Sequence, residues 1–262
     1  MPEIRVAFDN AEAYERYMGR WSRAIGEKFL AWIAPPRNAR WLDVGCGTGA
    51  FSELIVQRGA PKSLSGIDPS AAQLDYARAK LAKADLRVAD AMAMPFGNDE
   101  FDVVASALVL HFIPDRAKAL SEMKRVVRSG GLIAGYTWER TSQADFAPYS
   151  AMLRAIESIG GEVMRSPIVP EANLEGLQAA IESIGVDDVA VTRIEAGQSY
   201  RDFEEYWQVQ TLPISPPGKS VAKLDEPQRA RLRAELRTAL PIASDGSITY
   251  AAHAVAFRAG KA

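Results

Sequence analysis

The sequence of 262 residues has little of the chemistry that binds metals or forms disulfides, with one cysteine, Cys46, and two histidines, His111 and His253. A single cysteine excludes an intramolecular disulfide and a cysteine-cluster metal site. The two histidines lie too far apart along the chain to form a helix-borne metal pair. We therefore expect no metal site.

Long apolar runs and a strong charge imbalance are also lacking. No stretch approaches the roughly 18 apolar residues of a membrane span, and the N-terminus MPEIRVAFDN has none of the zones of a secretory signal. Lys+Arg total 31 against Asp+Glu 33, a net charge of -2. Because this balance produces no field that recruits nucleic acid or anionic membrane, we expect a cytoplasmic protein that binds neither. The oligomeric state stays open.

The hydrophobic pattern alternates between strand and helix periods from residue 38 to residue 138. Most of the apolar runs that predict strands are separated by segments with the apolar spacing of a helix. Nearly continuous apolar strands that alternate with helices are typical of a parallel sheet covered on both faces. Two later runs predict two more strands, so we expect an α/β fold with a Rossmann-like, doubly wound, seven-stranded and mostly parallel sheet. The predicted strands cover residues 41–44, 64–67, 86–89, 101–110, 132–137, 186–194 and 248–257.

Helices are expected before and after this core. Residues 10–34 predict a helix with Tyr14, Tyr17 and Trp21 on one face, and we interpret 1–37 as a helical lid on a domain that spans 38–262. Cap insertions are predicted at about 140–185 and 199–245, over the carboxyl ends of the strands, where open α/β sheets bind ligands. The second cap is expected to hold a short helix around Trp207, a proline-rich loop and an arginine-rich helix. The prolines of that loop are Pro213, Pro216 and Pro217.

Residues 41–51 read WLDVGCGTGAF, a strand followed by a glycine turn and a helix. Gly45, Gly47 and Ala50 match the dinucleotide fingerprint, in which alanine can replace the third glycine. That fingerprint holds a pyrophosphate with about two negative charges, which Asp43 would repel. A ligand with a cationic amino group, a sulfonium, a ribose and an adenine would instead gain from this carboxylate. S-adenosylmethionine is such a ligand.

Two further carboxylates end strands. Asp68 follows the second strand, where a carboxylate can accept both ribose hydroxyls of any adenine nucleotide. Asp90 follows the third strand, where its side chain can accept from an adenine amino group while the backbone N–H of Ala91 reaches a ring nitrogen. Asp90, the second carboxylate at a strand end, is harder to explain by the fold alone.

Four segments carry a family resemblance. WLDVGCGTGAF, GIDPS, VADAMAMPFGNDEFDVVAS and RVVRSGGLIAGYTW, in this order and spacing, resemble the motif series of class I S-adenosylmethionine-dependent methyltransferases over about residues 38–138. The nearest branch is the small-molecule one (methyltransferase type 11-like) that includes the ubiquinone and menaquinone biosynthesis enzymes. The resemblance implies an enzyme that moves a methyl group to an O, N or C atom of a small molecule and releases S-adenosylhomocysteine.

The resemblance also implies roles for individual residues around the cofactor. The methionine part would be bordered by Asp43, Gly45 and Gly47, with its amino group at the backbone of Ala107. The ribose would be held by Asp68 with Pro69, and the adenine would be framed by Asp90, Ala91 and Met92. Family members often bind the methionine carboxylate through a basic side chain of the N-terminal helix, here Arg20 or Arg23.

Several alternatives stay open at this point. His111 directly follows the fourth strand, where its ordinary pKa of about 6.5 suits a general base, but it can equally be a polar residue that caps the sheet. A nicotinamide-dependent oxidoreductase would use the glycine turn and Asp68, yet would leave Asp43 as an electrostatic liability and Asp90 without a role. A non-catalytic S-adenosylmethionine-binding regulatory protein would need all of these residues but no acceptor.

Overall fold

The computed structural model describes residues 11–141, 147–165 and 168–262. Seven strands form one sheet in the spatial order β3-β2-β1-β4-β5-β7-β6. The first five strands are parallel, and β7 is antiparallel to both of its neighbours. The prediction of an α/β, doubly wound, mostly parallel seven-stranded sheet is confirmed. The strands are β1 (Arg40–Val44), β2 (Ser63–Asp68), β3 (Asp85–Val88), β4 (Phe101–Ala107), β5 (Val127–Trp138), β6 (Asp187–Tyr200) and β7 (Ile248–Gly260).

Ten α-helices lie within the described residues, with π-helical turns at Glu15–Gly19 and Ile55–Gly59 and 3-10 turns at Leu110–Phe112 and Pro170–Ala172. None of these helices is long and apolar enough to cross a bilayer. The helices are α1 (Ala11–Tyr14), α2 (Arg20–Ile33), α3 (Ala50–Leu54), α4 (Ala71–Lys80), α5 (Arg116–Val126), α6 (Ala147–Ser158), α7 (Leu174–Glu182), α8 (Phe203–Gln210), α9 (Pro216–Ala222) and α10 (Glu226–Ala239).

The central strands are buried on both faces. Along β1, Trp41 belongs to the buried cluster that includes α2, whereas the next residue, Leu42, belongs to the cluster that includes α5 and α7. Successive side chains of a strand point to opposite faces, so a continuous apolar run is what a doubly covered sheet requires. The lid and caps stay predictions, and parts of them fall on residues 1–10, 142–146 and 166–167, which lie outside the described residues, as does the side chain of Tyr14.

The structure corrects the predicted end of the fourth strand. The apolar run predicted a strand as far as Leu110, but β4 ends at Ala107 because Leu108 adopts a left-handed backbone with φ 60°. Leu108 then donates its N–H to the carbonyl of Tyr136, and the chain turns into the 3-10 turn that contains His111. An apolar run marks burial and cannot by itself show where the backbone stops being extended.

The predicted proline loop is in part a helix. Pro216 and Pro217 occupy the first turn of α9, where a proline sacrifices no intrahelical hydrogen bond. Ser215 caps this helix by accepting the N–H of Gly218 at 3.1 Å. The predicted fifth strand began at residue 132, but the preceding Ser129-Gly130-Gly131 segment also lies inside β5, at the register shift between Phe101 and Val103 of β4.

Strands β6 and β7 continue past the point where β5 ends. Trp138, the last residue of β5, pairs with Ala254 of β7, and Ala254 pairs in turn with Ile194 of β6. Residues 195–200 and 248–253 therefore form a two-stranded ribbon beyond the carboxyl edge of the parallel strands, called here the β6–β7 extension. The predicted strand 186–194 stopped before this ribbon, and in the ribbon residues 195–200 of β6 alternate between exposed and buried.

Candidate functional site

A cleft lies where the glycine turn leaves β1, next to the end of β4. Strand β1 pairs with β2 on one side and with β4 on the other, so this is the topological switch point at which open α/β sheets bind ligands. The residues that line the cleft include four predicted site residues and two residues that the sequence did not indicate. The predicted four are Asp43, Gly45, Gly47 and Ala107, and the other two are Ser22 and Thr48.

The glycine turn needs glycine for two different reasons. All three glycines have positive φ, 75° at Gly45, 53° at Gly47 and 83° at Gly49, a region that glycine adopts without strain. A Cβ on Gly45 would also meet the side chain of Val109 at 2.5 Å, so packing requires this glycine. A Cβ on Gly47 would meet nothing closer than 3.8 Å, which leaves the inner side of the turn open to a ligand.

Asp43 is fully buried at the base of the cleft. Its Oδ2 accepts a hydrogen bond from the hydroxyl of Ser52 at 2.6 Å, while its Oδ1 has no partner among the residues that the structure describes. Burial raises the pKa of Asp43 to about 7, against the opposing effect of the Ser52 bond, and the charge of Asp68 acts in the same direction as burial. The carboxyl group therefore ionises near neutral pH, and an approaching cation would favour its charged form.

The protonation of Asp43 also affects how strongly the cleft repels an anion. A permanent negative charge on Asp43 would repel a pyrophosphate, but burial keeps this carboxyl group partly neutral at pH 7. The repulsion of an anion is therefore weaker than the sequence suggested. The unpartnered Oδ1 still favours a ligand that donates a hydrogen bond, because a buried acceptor without a partner is costly.

Asp68 anchors the glycine turn from the neighbouring strand. Its Oδ2 accepts the N–H of Gly47 at 3.0 Å, and its Oδ1 accepts the N–H of Ser70, the residue after Pro69, at 2.8 Å. Burial raises the pKa of this carboxyl group, and the two backbone bonds oppose that effect. A carboxylate oxygen can accept more than one hydrogen bond, so Asp68 keeps acceptor capacity for a ligand.

The predicted adenine residues form the turn after β3. Asp90 is exposed, and its Oδ1 accepts the N–H of Met92 at 2.8 Å. Ala91 between them is buried, and Ala93 closes the turn by donating its N–H to the carbonyl of Asp90 at 3.1 Å. These bonds give the turn a defined shape, and its role toward a ligand stays a prediction.

The two predicted arginines lie in different places. Arg20 is half exposed and donates to Glu205 of α8 at 2.8 Å. Arg23 contacts Glu15 and also donates to Glu53 at 3.2 Å, and Glu15 accepts the hydroxyl of Thr48, a cleft residue, at 2.9 Å. Arg23, through Glu15, is therefore the arginine next to the glycine turn.

His111 packs against the end of β5 rather than standing free. Its Nδ1 lies 2.9 Å from Oγ1 of Thr137, and its ring centroid lies 3.9 Å from that of Phe112. Burial, with a smaller contribution from the charge of Arg140, lowers the pKa of His111 to about 3. A neutral imidazole with so low a pKa is a weak base, so the environment favours the interpretation as a polar residue that caps the sheet.

Sequence reasoning missed Ser52, Thr48 and Glu15. Ser52 carries a detectable signal, since it is a polar residue in the short apolar segment that follows the glycine turn, and it is fully buried there. Thr48 and Glu15 carry none, because their contact joins the glycine turn to a π-helical turn that the helical spacing of residues 10–34 does not reveal.

Comparison of the sequence with known proteins shows which family it is similar to. Residues 42–135 match the family model described as a methyltransferase domain. The chain is 33% identical over 129 residues to malonyl-[acyl-carrier protein] O-methyltransferase of Serratia marcescens, covering 47% of this chain and 50% of the relative. It is 31% identical over 140 residues to demethylmenaquinone methyltransferase of Bacteroides fragilis, covering 49% and 57%. The chain thus spans about half the length of these relatives.

A solved structure extends the likeness to the whole chain. Phosphoethanolamine N-methyltransferase 2 of Haemonchus contortus, in complex with S-adenosyl-L-methionine, aligns with a TM-score of 0.58 over 100% of this chain and 61% of that one. The two sequences are 19% identical, so this comparison shows the fold alone. The family match, the two relatives and the shared fold agree with the motif series, and residues 42–135 are similar to a methyltransferase domain.

Proposed function

We propose that this protein is an S-adenosylmethionine-dependent methyltransferase that acts on an O, N or C atom of a small molecule. The observation that carries the proposal is Asp43, a fully buried carboxyl group whose Oδ1 has no partner among the described residues. It lines a cleft inside the segment that matches the methyltransferase family. An amino group of the cofactor would give this oxygen a donor and the carboxylate a counter-charge.

The remaining residues fit the other parts of the cofactor. The open side of Gly47 admits a ligand close to the backbone, the spare acceptor capacity of Asp68 suits ribose hydroxyls, and Arg23 is linked to the turn through Glu15. When bound, S-adenosylmethionine would supply a methyl group on a sulfonium, which makes that carbon open to in-line attack. The adenine would lie at the turn after β3, which contains Asp90, Ala91 and Met92. The amino group of the cofactor would lie near the backbone of Ala107.

The chain's own contribution would be to orient the acceptor and exclude water. The low pKa of His111 argues against this residue as the base that removes an acceptor proton. We infer that His111 instead helps to shape the end of β5 through Thr137. The near-balanced charge of the chain supports a cytoplasmic enzyme that acts on a small molecule and not on nucleic acid.

Ligand-dependent thermal unfolding tests the proposal. The protein is heated with S-adenosylmethionine, S-adenosylhomocysteine, NAD or NADP at about 100 times the dissociation constant, where a bound ligand adds roughly 2.7 kcal/mol of stability. We expect S-adenosylmethionine and S-adenosylhomocysteine to raise the melting temperature, and Asp43→Asn and Asp68→Asn to reduce that increase. Asp102→Asn is the matched control, because Asp102 pairs with Arg40 at the opposite end of β1.

Two results would contradict the proposal. A rise in melting temperature with NAD or NADP, and none with S-adenosylmethionine or S-adenosylhomocysteine, would instead identify a nicotinamide-dependent oxidoreductase. Tight binding of S-adenosylmethionine without release of S-adenosylhomocysteine, across a broad acceptor panel, would identify a non-catalytic binding protein.

A further inference from the structure

The segment before α2 contacts the glycine turn through a carboxylate of the chain itself, that of Glu15. Its Oε2 accepts the hydroxyl of Thr48 at 2.9 Å, and Thr48 lines the cleft of the candidate site. Its Oε1 contacts the guanidinium group of Arg23, which directly follows Ser22, another residue of the cleft. The side chain of Glu15 is only 14% exposed. A mostly buried carboxylate therefore lies next to the cleft.

This carboxylate has room because residue 19 is glycine. Gly19 has the backbone angles of a right-handed helix, φ -59° and ψ -38°, which any residue adopts without strain. A Cβ on Gly19 would lie 2.6 Å from Oε1 of Glu15 and 3.0 Å from Nη1 of Arg23. The contact between Glu15 and Arg23 therefore requires glycine here, although the backbone does not.

Two carboxylates share two cations around the glycine turn. Glu53 of α3 accepts from Arg23 at 3.2 Å, and Nζ of Lys80, at the end of α4, lies 3.7 Å from a carboxylate oxygen of Glu15 and 3.7 Å from one of Glu53. All four side chains are less than half exposed, so water screens their interactions only in part. We call these four residues the charge cluster: Glu15, Arg23, Glu53 and Lys80.

The proposed cofactor would bring a third carboxylate to the charge cluster. The amino acid part of S-adenosylmethionine carries a carboxylate beside the amino group that is proposed to bind Asp43, and Asp43 and Thr48 line the same cleft. A ligand carboxylate at Thr48 would find its hydroxyl already bound to Glu15, and Arg23 already bonded to two carboxylates. Three anions would then compete for two cations. Glu15 is the anion that occupies the hydroxyl of the cleft residue.

We propose that Glu15 closes the carboxylate end of the cofactor site in the free protein, and that the carboxylate of the cofactor displaces it. The inference rests on the proposed function and adds a residue that sets the affinity for the cofactor. Releasing Glu15 costs free energy that is subtracted from the binding energy, because only the open form accepts the ligand. Lys80, 3.7 Å from Glu15, remains as a cation for the displaced carboxylate.

A purely structural role of Glu15 predicts the opposite effect on binding. If Glu15 only oriented Thr48 and Arg23 for the ligand, removal of its charge would leave both groups less well placed and would weaken binding. If Glu15 competes with the ligand, removal of its charge strengthens binding. The sign of the change therefore separates the two roles.

Two ligands that differ in the amino acid part test the displacement. S-adenosylhomocysteine carries the carboxylate, whereas methylthioadenosine keeps the adenine, the ribose and the sulfur but lacks the amino acid part. Calorimetry on the intact chain measures the dissociation constant of each. We expect Glu15→Gln to bind S-adenosylhomocysteine about fivefold more tightly than the wild-type protein and methylthioadenosine with unchanged affinity. Unchanged or weaker binding of S-adenosylhomocysteine, or equal strengthening for both ligands, would overturn the proposal.

Gly19→Ala tests the same contact without removing a charge. Its methyl group would push the carboxylate of Glu15 away from Arg23, so this variant should also bind S-adenosylhomocysteine more tightly and methylthioadenosine with unchanged affinity. Alanine favours the helical backbone of residue 19. This variant therefore keeps the test decisive if Glu15→Gln does not fold.

Glu27→Gln is the matched control for charge. Glu27 lies on α2, outside the charge cluster, and pairs with Arg58 at 3.2 Å. The substitution removes the same charge as Glu15→Gln, and both affinities should stay at the wild-type values. An equal gain in affinity for S-adenosylhomocysteine in Glu27→Gln would assign the effect to net charge and refute the displacement.

The two proposals fail in distinguishable ways. If neither the wild-type protein nor Glu15→Gln binds S-adenosylhomocysteine, the proposed function fails. If the wild-type protein binds S-adenosylhomocysteine and Glu15→Gln does not bind it more tightly, only the inference about Glu15 fails.

Discussion

The hydroxyl of Ser52 donates to Oδ2 of Asp43 at 2.6 Å and so supports one oxygen of a buried carboxyl group whose other oxygen is unpartnered among the described residues. Strand β1 supplies the acid and helix α3 supplies the hydroxyl, across the glycine turn that separates them. Ser52 partly offsets the cost of burying the charge, and burial still raises the pKa of Asp43 to about 7. The free protein therefore contains a group whose ionisation is unfavourable until a cation binds.

Asp43→Asn should make the ligand-free protein more stable at pH 8 and weaken cofactor binding. The pKa of Asp43 rises from 3.8 to about 7 on folding, so the folded protein keeps a proton that the unfolded chain has lost. Its contribution to stability therefore falls as pH rises between about 4 and 7. We expect the variant to gain about 1 to 3 kcal/mol relative to wild type at pH 8 and little at pH 4. Thermal unfolding at both pH values measures this, and a variant that is less stable at pH 8 would contradict it.

Binding of S-adenosylmethionine should release a proton from Asp43. If the cation binds the ionised carboxylate, affinity should rise about tenfold from pH 6 to pH 8, as expected for a free-state pKa of about 7. Calorimetry in two buffers of different ionisation enthalpy counts the released protons. Asp43→Asn should abolish the release, and a flat affinity profile in the wild-type protein would show that Asp43 does not face the cation.

Asp102 should show the opposite pH dependence. It accepts from Arg128 at 2.6 Å and from the backbone and side chain of Arg40 at 2.7 and 3.1 Å, which hold the pKa of Asp102 well below its usual range. A lowered pKa stabilises the fold above about pH 4 and loses that effect as pH falls. Asp102→Asn should cost about 1 to 2 kcal/mol at pH 7. Denaturant titration measures the loss, ligand affinity should not change, and the difference from wild type should shrink toward pH 3.

His111 should not titrate in the physiological range. Because burial lowers its pKa to about 3, the imidazole is neutral from pH 5 to pH 8. The chain has only two histidines, so proton–carbon NMR resolves both rings, and His111→Gln assigns them. We expect the signal of His111 to stay constant over this interval. A titration near pH 6.5 would restore His111 as a candidate general base.

Gly45→Ala and Gly47→Ala should separate packing from ligand access. A Cβ on Gly45 would overlap Val109, so this variant should lose stability. A Cβ on Gly47 has room in the free protein, so this variant should lose only about 1 to 2 kcal/mol for its left-handed backbone and bind the cofactor at least about tenfold less tightly. Thermal unfolding and calorimetry measure the two effects. Full cofactor affinity in Gly47→Ala would show that the ligand does not approach the turn there.

The features that could be predicted from the sequence are those with a local cause. The alternation of strand and helix periods indicated the sheet, and the glycines after Val44 indicated the turn that follows β1. Of the predicted cofactor residues, Asp43 and Ala107 line one cleft. Local pattern could not reveal that Leu108 ends β4, or that Pro216 begins a helix, because each depends on a choice of backbone angle that tertiary contacts decide.

The sequence alone thus determined the fold class and the family, because hydrophobic period, turn chemistry and motif order are properties of consecutive residues. Only the tertiary structure decided which groups are protonated and which side chains contact one another. The pKa values of Asp43 and His111 depend on burial and on neighbours brought from other elements. The meeting of Tyr17 with Tyr149 and Tyr200 depends on packing between segments far apart in the chain. Such contacts leave no periodic signal in the sequence, since each involves a single side chain from each segment.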